Sequence, residues 1–456
     1  MDNPQIENLG SVGIVYDIPG YALPPAAITA GANFCCDDEA LISANGFSVY
    51  TTIDDGSVNP VYHLTSIADV TNNTYYDIAM CEQKTFAYDG TTLTDISFVG
   101  PPSASLFWQS TILNGNVVFS NGIDKPFYWD LNIANNLVSL ATYNANNCKI
   151  IRSFKGYLIA LDVTKGGVRY PYRMKWSQNA SSGVPTSWDE TNPAIGAGER
   201  DLGDDNDQLI DGYSLGNTFV IYGQNRIIGA QVVGGQSVFR TDTIFDQMGI
   251  LAANCAIPFD TFHFVVTTGD VIVHDANTWR SVIDKKNRKY LFNSLDSTYY
   301  YNAFCCFYPA KNEIWVCWPS SGNQYCNKAL VFNYINNTWT PRDLPPNTTH
   351  MIKAIPQTGG ALKWSDLTTI TWAEMNQFWD TQGFNPSSYI LLASSTDGNL
   401  YQMDDTNQNN GVARTAMIER TGIRLSDNAL QVTRLMYLFP RMSGRPVQFE
   451  VGFSDG

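Results

Sequence analysis

One phrase recurs along this chain and limits what it can fold into. It is a short apolar strand, a turn built on Asp, Asn or Gly, and then an aromatic. It reads TFAYDGTTLTDIS over Thr85–Ser97 and NGNVVFSNGIDKPFYWD over Asn114–Asp130. It returns as TTGDVIVHDANTWRSV at Thr267–Val282, ALVFNYINNTWTPRDL at Ala329–Leu344 and STDGNLYQMDD at Ser395–Asp405. Each copy reads as the outer hairpin of a small antiparallel sheet. A sheet that small cannot bury its apolar face alone, so the copies must stack or close into a ring. The spacing between copies widens along the chain, which fits a propeller with insertions and does not fit a clean solenoid. The expectation is an all-β, β-propeller-like fold with six or seven blades, an irregular N-terminal arm, loop insertions and an extra C-terminal β segment.

A chain of 456 residues that is 44% apolar and 13% aromatic can bury a large core. Only 16% is charged, against roughly 25% for an average globular protein. Asn, Gly, Ser and Thr fill the gap, as in turn-rich β proteins of virions and secretions. The net charge of −15 is unevenly spread: fifteen of the 43 acids but only two of the 28 bases, Lys84 and Lys125, precede Cys148. That asymmetry reads as an acidic solvated surface, or as a wall that repels a polyanion. It argues against tight duplex binding, which needs clustered Lys and Arg.

Nine cysteines without any C-x-x-C pair, in a chain with four histidines, do not suggest a zinc site. They read as small buried hydrophobes of a reducing compartment. The start MDNPQIENLG has neither a basic region nor an apolar core and does not read as a signal peptide. No apolar run approaches the roughly twenty residues that span a bilayer. Four Asn-x-Ser/Thr sequons, at Asn72, Asn179, Asn336 and Asn347, read as chance.

Three regions follow. Residues 1–50 form an extended arm in which Pro24 and Pro25 forbid regular sheet, a strap that docks on a neighbour or closes the ring. Residues 51–410 form the propeller, with insertions at about 179–207 and 349–388. The first is a polar Gly/Pro/Asp loop of a length usually tied to function or an interface. The second holds a candidate helix over Thr371–Asp380. Residues 411–456, with Arg414, Arg420, Arg424, Arg434, Arg441 and Arg445, form a C-terminal β segment acting as a platform or as ring-closing strands.

No nucleophile elbow, HExxH or P-loop is present. His63, His263, His274 and His350 are scattered, and those in strand text read as structural. Asp201, Asp204, Asp205 and Asp207 form a D-x-x-D-D-N-D run that could offer oxygen ligands to Ca²⁺ but lacks EF-hand spacing, so an acidic solvated loop or channel lining is expected. SSTDGNLY at Ser394–Tyr401 brushes against a sialidase Asp-box, but that chemistry also needs an arginine triad, and Arg is absent before Cys148. The basic run WRSVIDKKNRKYLF carries Arg280, Lys285, Lys286 and Arg288. It reads as a solvated hairpin, or as a subunit contact that meets the acidic face of a neighbouring copy. Pro24, Pro25 and Trp188 are further candidate subunit or adaptor contacts. No catalytic, metal or cofactor residues emerge.

Several phrases together resemble the β-propeller nozzle, or packaged-DNA stabilisation, proteins of short-tailed bacteriophages. They are GIVYDIPGYALPPAAITAGANF (Gly13–Phe34), KGYLIALDV with YRMKWSQ, PTSWD, TNPA and DLGD (Lys155–Asp204), FHFVVTTGDVIVHDANTWRSV, KKNRKYLFNSLD, EIWVCWPS, KALVFNYINNTWTPRDLP and MIERTGI (Met417–Ile423). These are blade text and carry no chemistry. The resemblance implies a homohexameric ring in the virion tail, below the portal and adaptor, made in the host cytoplasm. Such a ring continues the DNA channel, retains the genome and lets it pass at ejection, in company with tail fibre, spike or needle proteins. The chain is then not an enzyme. Two other classes stay open: a receptor- or glycan-binding tail module using exposed aromatics among Tyr299, Tyr300 and Tyr301, and a propeller glycosidase.

Overall fold

A computed structural model of the chain describes residues 8–37, 40–69, 72, 74–203, 207–234, 238–356, 389–423, 448 and 450–452. The arm carries β1 (Ala30–Ala32), β2 (Phe34–Asp37) and β3 (Ala40–Ser43), followed by β4 (Phe47–Thr52). Six four-stranded antiparallel meanders come next. Blade 1 is β5 (His63–Asp69), β6 (Thr74–Met80), β7 (Thr85–Tyr88) and β8 (Leu93–Asp95). Blade 2 is β9 (Gln109–Leu113), β10 (Asn116–Ser120), β11 (Phe127–Trp129) and β12 (Val138–Ser139). Blade 3 is β13 (Asn147–Phe154), β14 (Tyr157–Lys165), β15 (Val168–Trp176) and β16 (Gly198–Asp201). Blade 4 is β17 (Leu209–Leu215), β18 (Thr218–Gly223), β19 (Arg226–Val232) and β20 (Phe239–Asp246). Blade 5 is β21 (Ala256–Phe259), β22 (Phe262–Val266), β23 (Val271–His274) and β24 (Trp279–Ser281). A short helix α1 (Arg288–Ser294) leads to blade 6, which is β25 (Phe304–Tyr308), β26 (Glu313–Trp318), β27 (Lys328–Asn333) and β28 (Thr338–Arg342).

Blade 7 closes the ring. Its strands β29 (Thr348–Ala354), β30 (Ile390–Ser395) and β31 (Asn399–Met403) take β4, from the far end of the chain, as their outer partner. The propeller therefore has seven blades. The strand that closes it falls across the boundary expected between arm and propeller. Beyond it lie β32 (Gln408–Asn409), β33 (Val412–Ala413) and β34 (Met417–Glu419).

The recurrent turn has a common cause. In blade 1, Asp89 Oδ1 accepts the N–H groups of Thr91 (2.9 Å) and Thr92 (2.6 Å). In blade 5, Asp275 Oδ1 accepts those of Asn277 (2.8 Å) and Thr278 (2.7 Å). In blade 6, Asn333 Oδ1 accepts those of Ile335 and Asn336. A short side-chain oxygen two or three residues ahead satisfies the turn N–H groups and tolerates the left-handed residue that follows, Gly90 at φ 93° or Ala276 at φ 70°. These three copies are the outer hairpins the sequence suggests. The copies at Asn114–Asp130 and Ser395–Asp405 are not: they hold the middle strand pairs β10–β11 and β30–β31. Blade 7 has no outer hairpin of its own, because its outer strand arrives from elsewhere.

The core lies between neighbouring blades. Trp129 meets Tyr76 edge-on at 5.2 Å between blades 2 and 1. Phe332 and Trp339 of blade 6 stack near Phe264 of blade 5. The arm packs on the same protomer. Ile14 and Ile28 join the blade 5–6 core, β1 pairs with β34, and the Arg420 guanidinium gathers the carbonyls of Gly20, Leu23, Pro24 and Pro25. The candidate helix over Thr371–Asp380 and the arginines from Arg424 onward lie outside the described residues.

Phe47 of β4 is buried and meets Tyr401 edge-on at 5.5 Å. Phe47→Ala is expected to lower unfolding stability by about 3–5 kcal/mol. Removal of residues 1–52 should leave β31 as an unpaired edge prone to aggregation. Urea unfolding checks both; an unchanged midpoint for Phe47→Ala would show that the seam does not hold the ring.

Candidate functional site

Seven inner strands (β5, β9, β13, β17, β21, β25 and β29) surround the propeller axis, where propellers commonly place a ligand. Here that position is filled by a charged residue from the apolar strand β13. Arg152 donates from Nε to Asp211 Oδ1 (2.9 Å) and from Nη2 to Asp211 Oδ2 (3.1 Å), both on the neighbouring β17. Nη2 also donates to Gln109 Oε1 (2.7 Å) and the Tyr213 hydroxyl (3.2 Å), and Nη1 donates to the Ser110 carbonyl (3.0 Å). It reaches Asn254 Oδ1 (3.3 Å), two blades on. Asp211 accepts two further backbone N–H groups, from Gly212 and Asn254. Arg152 is 7% exposed and Asp211 fully buried, so the pair is sealed from solvent. Burial alone would favour loss of the Arg152 proton; Asp211 and Tyr213 outweigh it and hold the charge.

On the same inner wall His63 and His350 stack with centroids 4.1 Å apart. Burial holds His350 down to about 3, with Arg152 adding to it. Burial, His350 and Arg152 push His63 well below its usual value. A second buried chain joins blades 4 and 5. The Ala276 N–H donates to His274 Nδ1, which leaves His274 Nε2 to donate to the Tyr222 hydroxyl (2.8 Å). Tyr222 donates to His263 Nδ1 (2.6 Å), and His263 Nε2 donates to the Ser214 carbonyl (3.0 Å). Every donor in the chain has an acceptor only while both imidazoles are neutral. Burial lowers His263 to about 4 and His274 to about 3.

The charged and imidazole groups are partnered by one another, whereas Gln109 Nε2 is buried without a hydrogen-bond partner among the described residues. Burial raises the thiols of Cys81, Cys148 and Cys306 to about 12, far from nucleophilic. Among the described residues no group of three or more His, Cys, Asp or Glu is placed to hold a metal ion. Arg152 is the single arginine on the seven inner strands, so they do not provide the triad of a sialidase-type site. The partial Asp-box is a turn: Asp397 accepts the Asn399 N–H and the Tyr401 hydroxyl proton.

The candidates read from sequence fall elsewhere. Trp188 is fully buried, edge-on to Tyr143 at 4.9 Å, and so is core and not a subunit contact. The long loop that carries it folds back over its own blade and onto the edge of blade 2. Lys175, wholly buried on β15, binds Glu190 (2.6 Å) and Glu199 (3.1 Å), and Asn114 holds the carbonyls of Ala180 and Gly183. Although burial raises Glu190, the Lys165 and Lys175 ammonium groups win and hold it well below the usual carboxylate range. Asp201 pairs with Arg173 (2.6 Å) and Asp207 with Arg226 (2.5 Å), so neither is free to take a cation; Asp204 and Asp205 lie outside the described residues. Pro24 and Pro25 are exposed, with their carbonyls on Arg420. Lys286 is half-buried and donates to the Asn337 carbonyl, while Arg280, Lys285 and Arg288 are exposed. Tyr299–Tyr301 lie in a linker and a 3-10 turn rather than a strand, with Tyr300 and Tyr301 exposed. The Arg152–Asp211 pair was legible as a charged residue inside each of two apolar strands, a pattern that requires a buried partner.

No family model matches the chain, and no curated protein matches it. Among solved structures, a chain of the mitotic checkpoint complex superposes with a TM-score of 0.44 at 9% identity, over 78% of this chain and 95% of that one. The extracellular domain of the putative one component system BT4673 from B. thetaiotaomicron gives 0.40 at 12% identity, over 63% of this chain and 35% of that one. Superpositions this loose carry no argument, and the propeller rests on its own strand pairing.

Two outcomes test the interior. Arg152→Met should cost about 3–5 kcal/mol by leaving Asp211 buried and unpaired, and adding Asp211→Asn should recover part of it. A single variant as stable as the parent would refute the pairing. Each buried histidine takes up a proton near pH 6.5 in the unfolded chain, but in the fold only near 3–4 where a value is fixed. Their contribution is therefore complete above pH 6.5 and is lost as pH falls towards 4, by about 1.4 kcal/mol per pH unit for each. Denaturant midpoints measured across that window should fall, and His274→Gln should flatten the slope.

Proposed function

We propose that the chain is a structural virion protein of a bacteriophage tail, a nozzle or hub. In this reading copies form a ring, with six the expected number, below the portal and adaptor. The ring continues the DNA channel, retains the packaged genome and lets it pass at ejection, without turnover. Its partners are further copies of itself, the adaptor, and tail fibre, spike or needle proteins, with duplex DNA in transient passage.

The observation that carries this reading is the distribution of charge around the wheel. Blades 1 and 2 and their linkers expose Asp54, Glu82, Asp95 and Asp130; their bases among the described residues are exposed Lys125 and Lys84, which pairs with Asp55. The edge of blade 5 and the linker after it expose Trp279, Arg280, Lys285, Arg288 and Lys289. Blade 5 stands three blades away from blade 1 in one direction and from blade 2 in the other, so the two patches face opposite ways. Unlike surfaces on opposite sides of one protomer suit a head-to-tail contact, the kind that generates closed rings. Exposed Val99 and Val138 on the acidic side offer apolar contact for Trp279. Because the buried Arg152 cluster joins inner strands of blades 2, 3 and 4, the pipe in this reading runs between copies. The resemblance of the blade text to phage nozzle proteins points to the same assignment. A second reading, a receptor- or glycan-binding tail module, is favoured by exposed Tyr300 and Tyr301.

Mass photometry of the purified chain is expected to show a ring that dissociates in Arg280→Glu/Lys285→Glu and re-forms when those variants meet Asp95→Lys/Asp130→Lys. High salt should weaken it, since exposed charges are screened beyond about 8 Å at physiological ionic strength. A chain that stays monomeric at low salt, alone and with its adaptor, would refute the ring. Micromolar duplex binding at about 0.15 M salt would refute a non-adhesive channel.

A further inference from the structure

An open cleft of about 400 Å³ lies between blades 2 and 3. Its wall contains an unusual piece of backbone. Asp162, in the middle of β14, sits in the left-handed region at φ 55°, at a bulge where the register with β15 slips between Leu161 and Val163. A strained residue beside a cleft marks a place where the backbone has been re-aimed. The Asp162 carboxylate, 2% exposed, is taken by Arg169 through Nε (2.8 Å) and Nη2 (2.6 Å), and by Gln208 (3.1 Å).

Lys149 on β13 faces the same cleft. It is half-buried, and among the described residues no hydrogen-bond acceptor or carboxylate is placed to receive its ammonium group. That group lies 5.3 Å from the centre of the Phe107 ring. Burial lowers its pKa, with Asp162 only partly opposing the shift. A long cation is thus partly withdrawn from water with no counter-charge but the Asp162 carboxylate, which Arg169 already engages, in a chain whose net charge is −15. Asp162 neutralises Arg169, so the cleft keeps one uncompensated positive charge. Exposed Ile123 and the edge of Phe107 supply apolar surface beside it. Gly122 borders the cleft at φ 73°, a conformation that favours glycine, and a Cβ there would touch Phe107 and Lys149 at ordinary contact distances of 3.6 and 3.9 Å.

We propose that this cleft binds a small organic oxyanion, a carboxylate or phosphate carried on a compact ring such as a sugar. Lys149 and the exposed edge of Arg169 hold the oxyanion, and Ile123 and Phe107 hold the ring. The site is independent of any assembly of copies.

Calorimetric titration of the full chain with glucuronate, glucose 6-phosphate, inorganic phosphate and uncharged glucose tests it. The two sugar anions should bind at millimolar concentration and glucose should not; which anion binds more tightly separates carboxylate from phosphate. Lys149→Met should weaken binding about tenfold or more, the loss of one charge-assisted hydrogen bond, and Lys149→Arg should retain it. Ile123→Glu, on the exposed rim, places a negative charge in the cleft without touching the core and should abolish binding; it decides the matter if Lys149→Met does not fold. Absence of binding by both sugar anions, equal binding of glucose, or anion binding unchanged in Ile123→Glu would overturn the proposal.

Discussion

Each blade has two faces to bury and can bury them only against its neighbours, so the structure depends on completing the cycle. The chain completes it with one strand pairing, β4 on β31, between segments some 350 residues apart, as the Thr52–Asn399 contact shows at a separation of 347. Loop-closure entropy rises by about 0.6 kcal/mol per doubling of length, so closing over 347 residues instead of over a turn of about four costs roughly 4 kcal/mol more. Burial of one aromatic such as Phe47 gives about 1.5–3 kcal/mol and does not cover that alone; Tyr401, Met403 and the other side chains buried beside it contribute the rest. The arm upstream adds to the same end. Ile14 and Ile28 enter the blade 5–6 core, Asn287 holds the Tyr16 N–H and the Ile14 carbonyl, and Asp17 accepts the first N–H groups of α1. N-terminal residues thus support both the closing blade and a blade boundary two positions away from it.

Once the ring is closed, its interior has little chemistry left. Arg152 and Asp211 satisfy each other and their neighbours, the four histidines are held neutral, and thiols such as Cys148 are far from ionisation. A general base works best with a pKa near the operating pH, and the buried histidines lie well below it. Unspent charge is found outside the core, at Arg280 and Lys285 on the rim and at Lys149 in the cleft.

The sequence carried its local rules openly and its distant ones poorly. The turns at Asp89, Asp275 and Asn333 were readable because side chain and backbone partner lie within three residues. The ring itself was readable because repeated small sheets have few ways to bury their faces. β4 was not, because FSVYTT resembles any strand and nothing near it names β31 as its partner. Trp188 misled for a related reason: an aromatic in a polar loop suggests a contact surface, but its partner Tyr143 stands in the linker ahead of β13. The basic run after β24 was read as a unit and proved divided, with Lys286 turned onto the Asn337 carbonyl and Lys285 left in solvent.

The acidity of the first blades has two roles that can be separated physically. Asp89 and Asp130 cap their turns through one carboxylate oxygen, and Asn can make that same contact, as Asn333 does in blade 6 and Asn121 does in blade 2. The turn therefore requires an oxygen at that position but not a charge. Asp55 shows the alternative, since its charge is offset locally by Lys84. At Asp130 an exposed carboxylate remains without an ion pair among the described residues, and Asp95, which holds the Ser97 N–H, shares the field of Lys84 with Asp55. Folding alone does not explain the choice of Asp at these turns, and the charge it adds falls on the side of the wheel that faces away from the basic rim of blade 5.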